Sequence, residues 1–251
     1  MGVLNAAIVE GIGYLELNRP EVRNALNREL IDALHSTLDG WAERDELRAV
    51  VVSGAGGKAF AGGADISELK ERTHKEAFFG YAGKLFQKLE DFPRPVIAAI
   101  DGFALGGGLE LALSCDLRVA SKGAKIGLPE VTLGIFPGAG GTWRLPRVVG
   151  LGRAKELIFT GRIVDAEEAF ALGVFERLVE SDAIAAAREL AVMIAKNAPL
   201  AVQVAKVAVN ALAKPASPES TERLAQAILF DSTDKRERMT AFLEKKKTTK
   251  P

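Results

Sequence analysis

Apolar residues run along the chain in two rhythms. Residues 48–53 and 95–100 are short, β-branched and apolar at nearly every position, so they read as buried strands ending at glycine. Residues 116–120 suggest a further short strand, and the apolar stretches from Ala6 and over 13–18 suggest a hairpin. Residues 27–41 follow the helical rhythm instead, with Leu30, Ile31, Leu34 and Leu38 on one side. Another helix begins near Leu109. From about Ala183 the strands cease, and 183–197, 200–213, 219–230 and 235–246 read as four helices punctuated by Pro199, Pro215 and Pro218. The pattern predicts a mixed α/β body followed by a helical C-terminal part, with no simple internal period.

Composition narrows the class. The 251 residues are 48% hydrophobic and carry 33 basic against 33 acidic side chains, a globular balance that excludes disorder of the whole chain. The single cysteine, Cys115, rules out an internal disulfide framework and fits a reducing compartment. No basic stretch followed by a long apolar run opens the chain. The most apolar helical stretch, 198–213, falls short of the roughly 20 residues a bilayer requires and contains Lys206. A cytoplasmic protein with neither membrane nor nucleic acid as partner is therefore expected. The neutral total hides an asymmetry, because residues 235–251 hold seven Lys/Arg against Glu237 and Glu244.

Glycine changes the picture more. Thirteen of the 25 glycines fall in three clusters, at 54–63, 102–108 and 134–141. Glycine lets a ligand approach the main chain closely, so the clusters suggest loops built for backbone contact, although tight turns alone would explain any one of them. Known glycine-loop chemistries fail: Gly56-Gly57-Lys58-Ala59 is no P-loop, and Leu111 stands where a dinucleotide fingerprint needs its third glycine. No G-x-S-x-G elbow is present, and no residues have metal-ligand spacing. His35 and His74 read as helix-packing or surface residues. Carboxylates and backbone amides are left.

Two acids stand beside the clusters. Glu110 follows Gly106-Gly107-Gly108-Leu109 at the start of an apolar helix. It either complements the helix dipole or, desolvated and with a raised pKa, moves a proton beside amides that bind a developing oxyanion. Glu130, in Gly127-Leu128-Pro129-Glu130, is a helix-cap residue or the second half of a proton-moving pair.

The motifs that surround these acids resemble those of the crotonase superfamily, and specifically its enoyl-CoA hydratases. They are Asn18-Arg19-Pro20 with Asn24-Ala25-Leu26, Ala59-Phe60-Ala61-Gly62-Gly63-Ala64-Asp65-Ile66, Gly106-Gly107-Gly108-Leu109-Glu110, Leu128-Pro129-Glu130 and Phe136-Pro137-Gly138-Ala139-Gly140-Gly141-Thr142. The resemblance implies a core of repeated ββα units wound in a spiral over 1–190, with a helical C-terminal trimerisation region over 191–251. It implies an oxyanion hole from the amides of Gly62 and Gly107, holding the thioester enolate of an acyl-CoA. Glu110 would activate water, Glu130 would protonate the α-carbon, and Gly138 would hold the water. Arg23, Ala25, Ala61, Gly63, Ala64, Asp65 and Ile66 would line the substrate and CoA site, with Arg23 and Ala25 near the adenine. Asp65 serves equally well as a helix cap. Homotrimers or hexamers are implied, with C-terminal basic residues reaching a neighbour's CoA phosphates. No metal and no resident cofactor are implied, since CoA arrives with the substrate. An isomerase or another acyl-CoA lyase is the alternative enzyme, and a non-catalytic RNA-binding relative the alternative class. Gly62 and Leu128 depart from the residues usual at their places, alanine and glutamine.

Overall fold

The structure is a computed structural model and describes residues 2–212, 230 and 233–248. The helix expected over 219–230 lies outside the described residues except for Phe230. The hairpin is present as β1 (Leu4–Val9) and β2 (Ile12–Leu17), paired antiparallel. Helix α1 (Arg28–Ala42) follows, its first turn closed by the Asn27 side chain accepting the Leu30 N–H.

A ββα unit then recurs. The first consists of β3 (Ala49–Gly54), β4 (Ala59–Ala61) and the helices α2 (Ile66–Glu71), α3 (His74–Phe79) and α4 (Tyr81–Glu90). The second consists of β5 (Val96–Ile100), β6 (Phe103–Leu105) and α5 (Gly107–Ser114). The third has β7 (Leu117–Ser121), β8 (Lys125–Gly127), a 3-10 turn over Pro129–Leu133, and the helices α6 (Gly141–Val149) and α7 (Leu151–Thr160). Next come β9 (Ile163–Asp165), α8 (Ala166–Ala171), β10 (Arg177–Val179), α9 (Ala183–Ala195), α10 (Pro199–Leu212) and a last helix, α11 (Thr233–Thr248).

Each unit sends its first strand to one sheet and its second to another. The larger sheet runs β1-β2-β3-β5-β7-β10 and the smaller β4-β6-β8-β9. This is the spiral that the sequence motifs imply. Because side chains alternate across a strand, the larger sheet has two apolar faces. Ala49, Val51, Ile97 and Ala99 meet Ala183, Ala187 and Ala191 of α9. Val50, Val52, Val96 and Ala98 face the main core with Leu30 and Leu34 of α1 and Phe86 of α4. The small α9 residues, four apart, bring that helix close to the sheet.

Among the described residues no single helix is long and apolar enough to cross a membrane; α9 and the start of α10 pass that test only as a pair bent by 109°.

Candidate active site

The second strands of the units are only three residues long, so the chain leaves them quickly and the following glycines gather at one end of the smaller sheet. Gly108 fixes how closely. A Cβ there would lie 2.1 Å from the Ala61 carbonyl oxygen, so the first turn of α5 rests backbone against backbone on β4. Gly106, at φ 52° and ψ −127°, turns the chain from β6 into that helix in a conformation open to glycine.

The resulting geometry corrects one expectation. The Gly62 N–H donates to the Arg23 carbonyl oxygen at 2.8 Å, an acceptor placed there by the left-handed turn at Arg23 (φ 57°) and Asn24 (φ 55°). It is not available to a substrate. The amide beside Gly107 is that of Ala64: a Cβ on Gly107 would lie 3.5 Å from the Ala64 nitrogen. Among the described residues no backbone carbonyl takes the Ala64 or Gly107 N–H. Buried Asn24 braces this corner, its amide donating to the carbonyls of Ala55 at 3.0 Å and Ala59 at 2.8 Å. The other residues of the motif divide in role. Asp65 accepts from the Ser67 N–H at 3.2 Å and pairs with Arg19 at 3.1 Å, so its carboxylate caps α2. Burial alone would raise that carboxyl, but the bonds from Ser67 and Arg19 outweigh it and hold it low. The Ala25 carbonyl accepts from Arg19 at 2.6 Å, and Arg23 is exposed, its guanidinium 5.7 Å from the centre of the Phe103 ring. Ala61 is buried within β4, Gly63 (φ 102°) closes the strand, and Ile66 starts α2.

Glu110 is 3% exposed on α5. Its Oε1 accepts two amides from the third glycine cluster, Ala139 N–H at 2.8 Å and Gly141 N–H at 2.9 Å. Gly138, expected to hold water, begins the turn that presents them; its own N–H meets no backbone carbonyl among the described residues. Burial raises the Glu110 carboxyl, while the two amides and the Arg144 charge pull it back. Glu130, in the 3-10 turn, has less help, only its own backbone N–H, the smallest influence on it. Its Oε2 is buried without a hydrogen-bond partner among the described residues. Its Oε1 lies where a Gly106 Cβ would be 3.0 Å away, which places the carboxyl against the turn into α5. Burial, and then the charge of Glu110, raise it well above the ordinary carboxylate range. Leu128, buried just before the Pro-Glu pair, offers it no polar support.

The remaining candidates are structural. His35 packs 6.2 Å from Tyr81, and burial lowers its pKa; His74 opens α3 on the surface. Lys235, in the basic C-terminal segment, is 1% exposed and donates to the Lys70 carbonyl at 2.9 Å and the Arg72 carbonyl at 3.2 Å. It ties α11 to the end of α2 and is not presented to a phosphate. Among the described residues no group of three His, Cys, Asp or Glu could hold a metal ion.

Two free amides beside two buried carboxyls of unequal acidity define an acid–base enzyme. A family profile described as enoyl-CoA hydratase/isomerase matches residues 7–250. The chain is 44% identical over 252 residues to a short-chain-enoyl-CoA hydratase of Clostridium acetobutylicum, covering 97% of each chain. It is 40% identical over 243 residues to a crotonyl-CoA hydratase of Syntrophomonas wolfei, covering 95% of this chain and 94% of that one. The crystal structure of an enoyl-CoA hydratase from Bacillus anthracis superimposes with a TM-score of 0.81 at 38% identity, over 97% of this chain and 96% of that one. The chain belongs to the enoyl-CoA hydratase/isomerase family.

Proposed function

We propose that this enzyme adds water reversibly to a short-chain trans-2-enoyl-CoA, giving the 3-hydroxyacyl-CoA. The observation that carries the reading is the unequal support of the two carboxyls. Glu110, held by two amides, is the one to stand ionised; Glu130, with one carboxyl oxygen unpartnered and next to that charge, is the one to keep its proton. The Ala64 and Gly107 amides would take the thioester oxygen as it gains charge, and a single such donor is worth about 3–4 kcal/mol. Glu110 would draw a proton from water as its oxygen bonds to the β-carbon, and Glu130 would deliver one to the α-carbon. Moving a double bond alone would need only one shuttling acid, so the pair favours hydration over isomerisation. The reaction calls on no resident cofactor, since CoA enters as part of the substrate.

The test follows the loss of the conjugated enoyl thioester absorbance with crotonyl-CoA. Formation of 3-hydroxybutyryl-CoA is expected. If the protein instead moves the double bond of a 3-enoyl-CoA and adds no water, the isomerase reading replaces this one.

We place Arg23 and Ala25 near the adenine end of CoA, on the exposure of the first and its nearness to the site. We also divide the chain near residue 190, although α9 crosses that point and belongs by its packing to the larger sheet. A cytoplasmic location agrees with Cys115 being a free, buried thiol, pushed up to about 12 chiefly by burial.

A homotrimer, alone or paired into a hexamer, is our reading of α10. Leu200, Val204 and Val207 recur at helical spacing and are 71%, 59% and 69% exposed. Lys206 on the same helix docks it to the body, donating to Asp116 at 2.7 Å and to the Arg94 carbonyl at 3.1 Å. Val204→Glu with Val207→Glu is expected to shift sedimentation to the monomer; an unchanged sedimentation coefficient would place the interface elsewhere.

A further inference from the structure

The turn that supports Glu110 is itself held by a buried ion pair outside the motifs so far used. Arg144, on the first turn of α6, has a side chain only 4% exposed. Its Nε donates to Glu90 Oε2 at 2.9 Å, Nη2 lies 2.8 Å from the same oxygen, and Nη1 donates to the Ala139 carbonyl at 3.0 Å. The N–H of that same Ala139 meets Glu110. Gly140, between the two amide donors, has φ 120°, and a Cβ there would fall 1.9 Å from Arg144 Nη1. The turn therefore wraps the guanidinium too closely for any side chain. Glu90 ends α4, so the pair joins two helices 54 residues apart in sequence. Arg144 also stacks on Trp143 at 4.0 Å, and Arg147 covers the same ring at 4.3 Å.

We propose that Arg144, clamped by Glu90, is a positioning residue for Glu110: it sets the Ala139–Gly141 turn so that both amides meet one carboxylate oxygen. A guanidinium suits this work because its planar fork serves the Ala139 carbonyl and the Glu90 carboxylate at once. A buried arginine whose only task was stability would be an inefficient choice, since an apolar replacement of similar volume often does as well. The inference rests on Glu110 acting as the base.

Among the described residues the charges that bear on Glu110 are few. Glu130 faces it from the 3-10 turn and Arg144 from α6, with Glu90 of α4 and Arg147 of α6 acting through Arg144. Strands β4 and β6 bring no charged residue, and Arg118 of β7 is paired with Glu176. Two neutral substitutions should therefore move Glu110 in opposite directions. Arg144→Gln removes the cation and leaves Glu90 charged, so the Glu110 carboxyl titrates at higher pH than in wild type. Glu90→Gln still offers an oxygen to Arg144 but no longer neutralises it, so Glu110 titrates at lower pH.

The experiment is a 13C NMR titration of the full-length protein labelled at its glutamate carboxyls, with the Glu110 signal identified by its absence in Glu110→Gln. It is paired with the pH profile of kcat/KM for crotonyl-CoA hydration. The acid limb should move up for Arg144→Gln and down for Glu90→Gln, with kcat lowered about 100-fold in Arg144→Gln at little change in KM. Arg144→Lys should keep the wild-type limb yet recover only part of kcat. Should Arg144→Gln fail to fold, Glu90→Gln carries the test alone. Titration of Glu110 at the wild-type pH in the variants, or movement in the same direction in both, would overturn the proposal. A wild type that titrates normally but hydrates nothing would instead overturn the proposed reaction and leave the positioning role to be decided by NMR.

Discussion

Glu130→Gln lowers kcat for hydration about 10²–10⁴-fold, the usual worth of a positioned proton donor, and yields a protein that melts higher than wild type at pH 8. Both effects come from the same buried, unpartnered oxygen. The folded-state carboxyl titrates above its unfolded value of about 4.3, so its contribution to stability is fully present below that value. It is lost as pH rises through the raised folded-state value, where the fold must accept a charge it cannot solvate. Glutamine never ionises and escapes that loss. The gain in Tm should be roughly 2–4 °C at pH 8, the shift that about 1 kcal/mol produces in a chain of this size, and it should vanish at pH 4. Thermal melts at the two pH values, alongside steady-state kinetics, decide the matter. Equal melting temperatures at pH 8, or retained turnover, would remove Glu130 from the role of acid. Glu110→Gln should lose activity with a smaller gain, because its two amides offset part of the burial that raises the Glu110 carboxyl.

Gly108→Ala should be a severe change for a single methyl group. Its Cβ would stand 2.1 Å from the Ala61 carbonyl oxygen and 2.8 Å from the carbonyl carbon, both backbone atoms of a buried strand. Ordinary contact requires more than an ångström of retreat, and β4 is buried at every position, so the first turn of α5 is expected to retreat. That turn carries the Gly107 amide and Glu110 together, so both leave the Ala64 amide and the Ala139–Gly141 turn. Displacement on this scale costs about 100-fold in rate, and overpacking a well-filled site costs about 1–3 kcal/mol in stability. Circular dichroism should show the fold retained while hydration of crotonyl-CoA collapses. Activity within threefold of wild type would mean that α5 slides freely and does not fix the site.

What could be read in the sequence was what periodicity and local chemistry carry. The β-branched runs are β3 and β5, the apolar spacing of Leu30, Ile31, Leu34 and Leu38 is the buried face of α1, and the glycines before Glu110 open α5. The raised pKa of Glu110 followed from its apolar neighbours. Strands β4, β6 and β8 escaped notice because three residues are too few to show a period. The assignment of the oxyanion amide failed for a different reason. Gly62 and Ala64 are equally good donors in isolation, and what separates them is the Arg23 carbonyl, delivered by two left-handed residues 39 and 38 positions before Gly62. The Arg144–Glu90 pair was invisible because neither residue lies in a glycine cluster and only the packing of α4 and α6 against α5 brings them together. The buried role of Lys235 likewise depended on where α11 meets α2.

The division of the strands between two sheets has a consequence for how such an enzyme can change. The proposed oxyanion donors are peptide groups from the first and second units, whereas the proposed proton carriers are side chains from the second and third. Substitution can therefore rewrite the proton traffic without touching the apparatus that tolerates negative charge on the substrate oxygen. The spiral separates what is inherited as shape from what is free to vary as chemistry, and the same enolate cradle can serve a new reaction through one or two altered side chains.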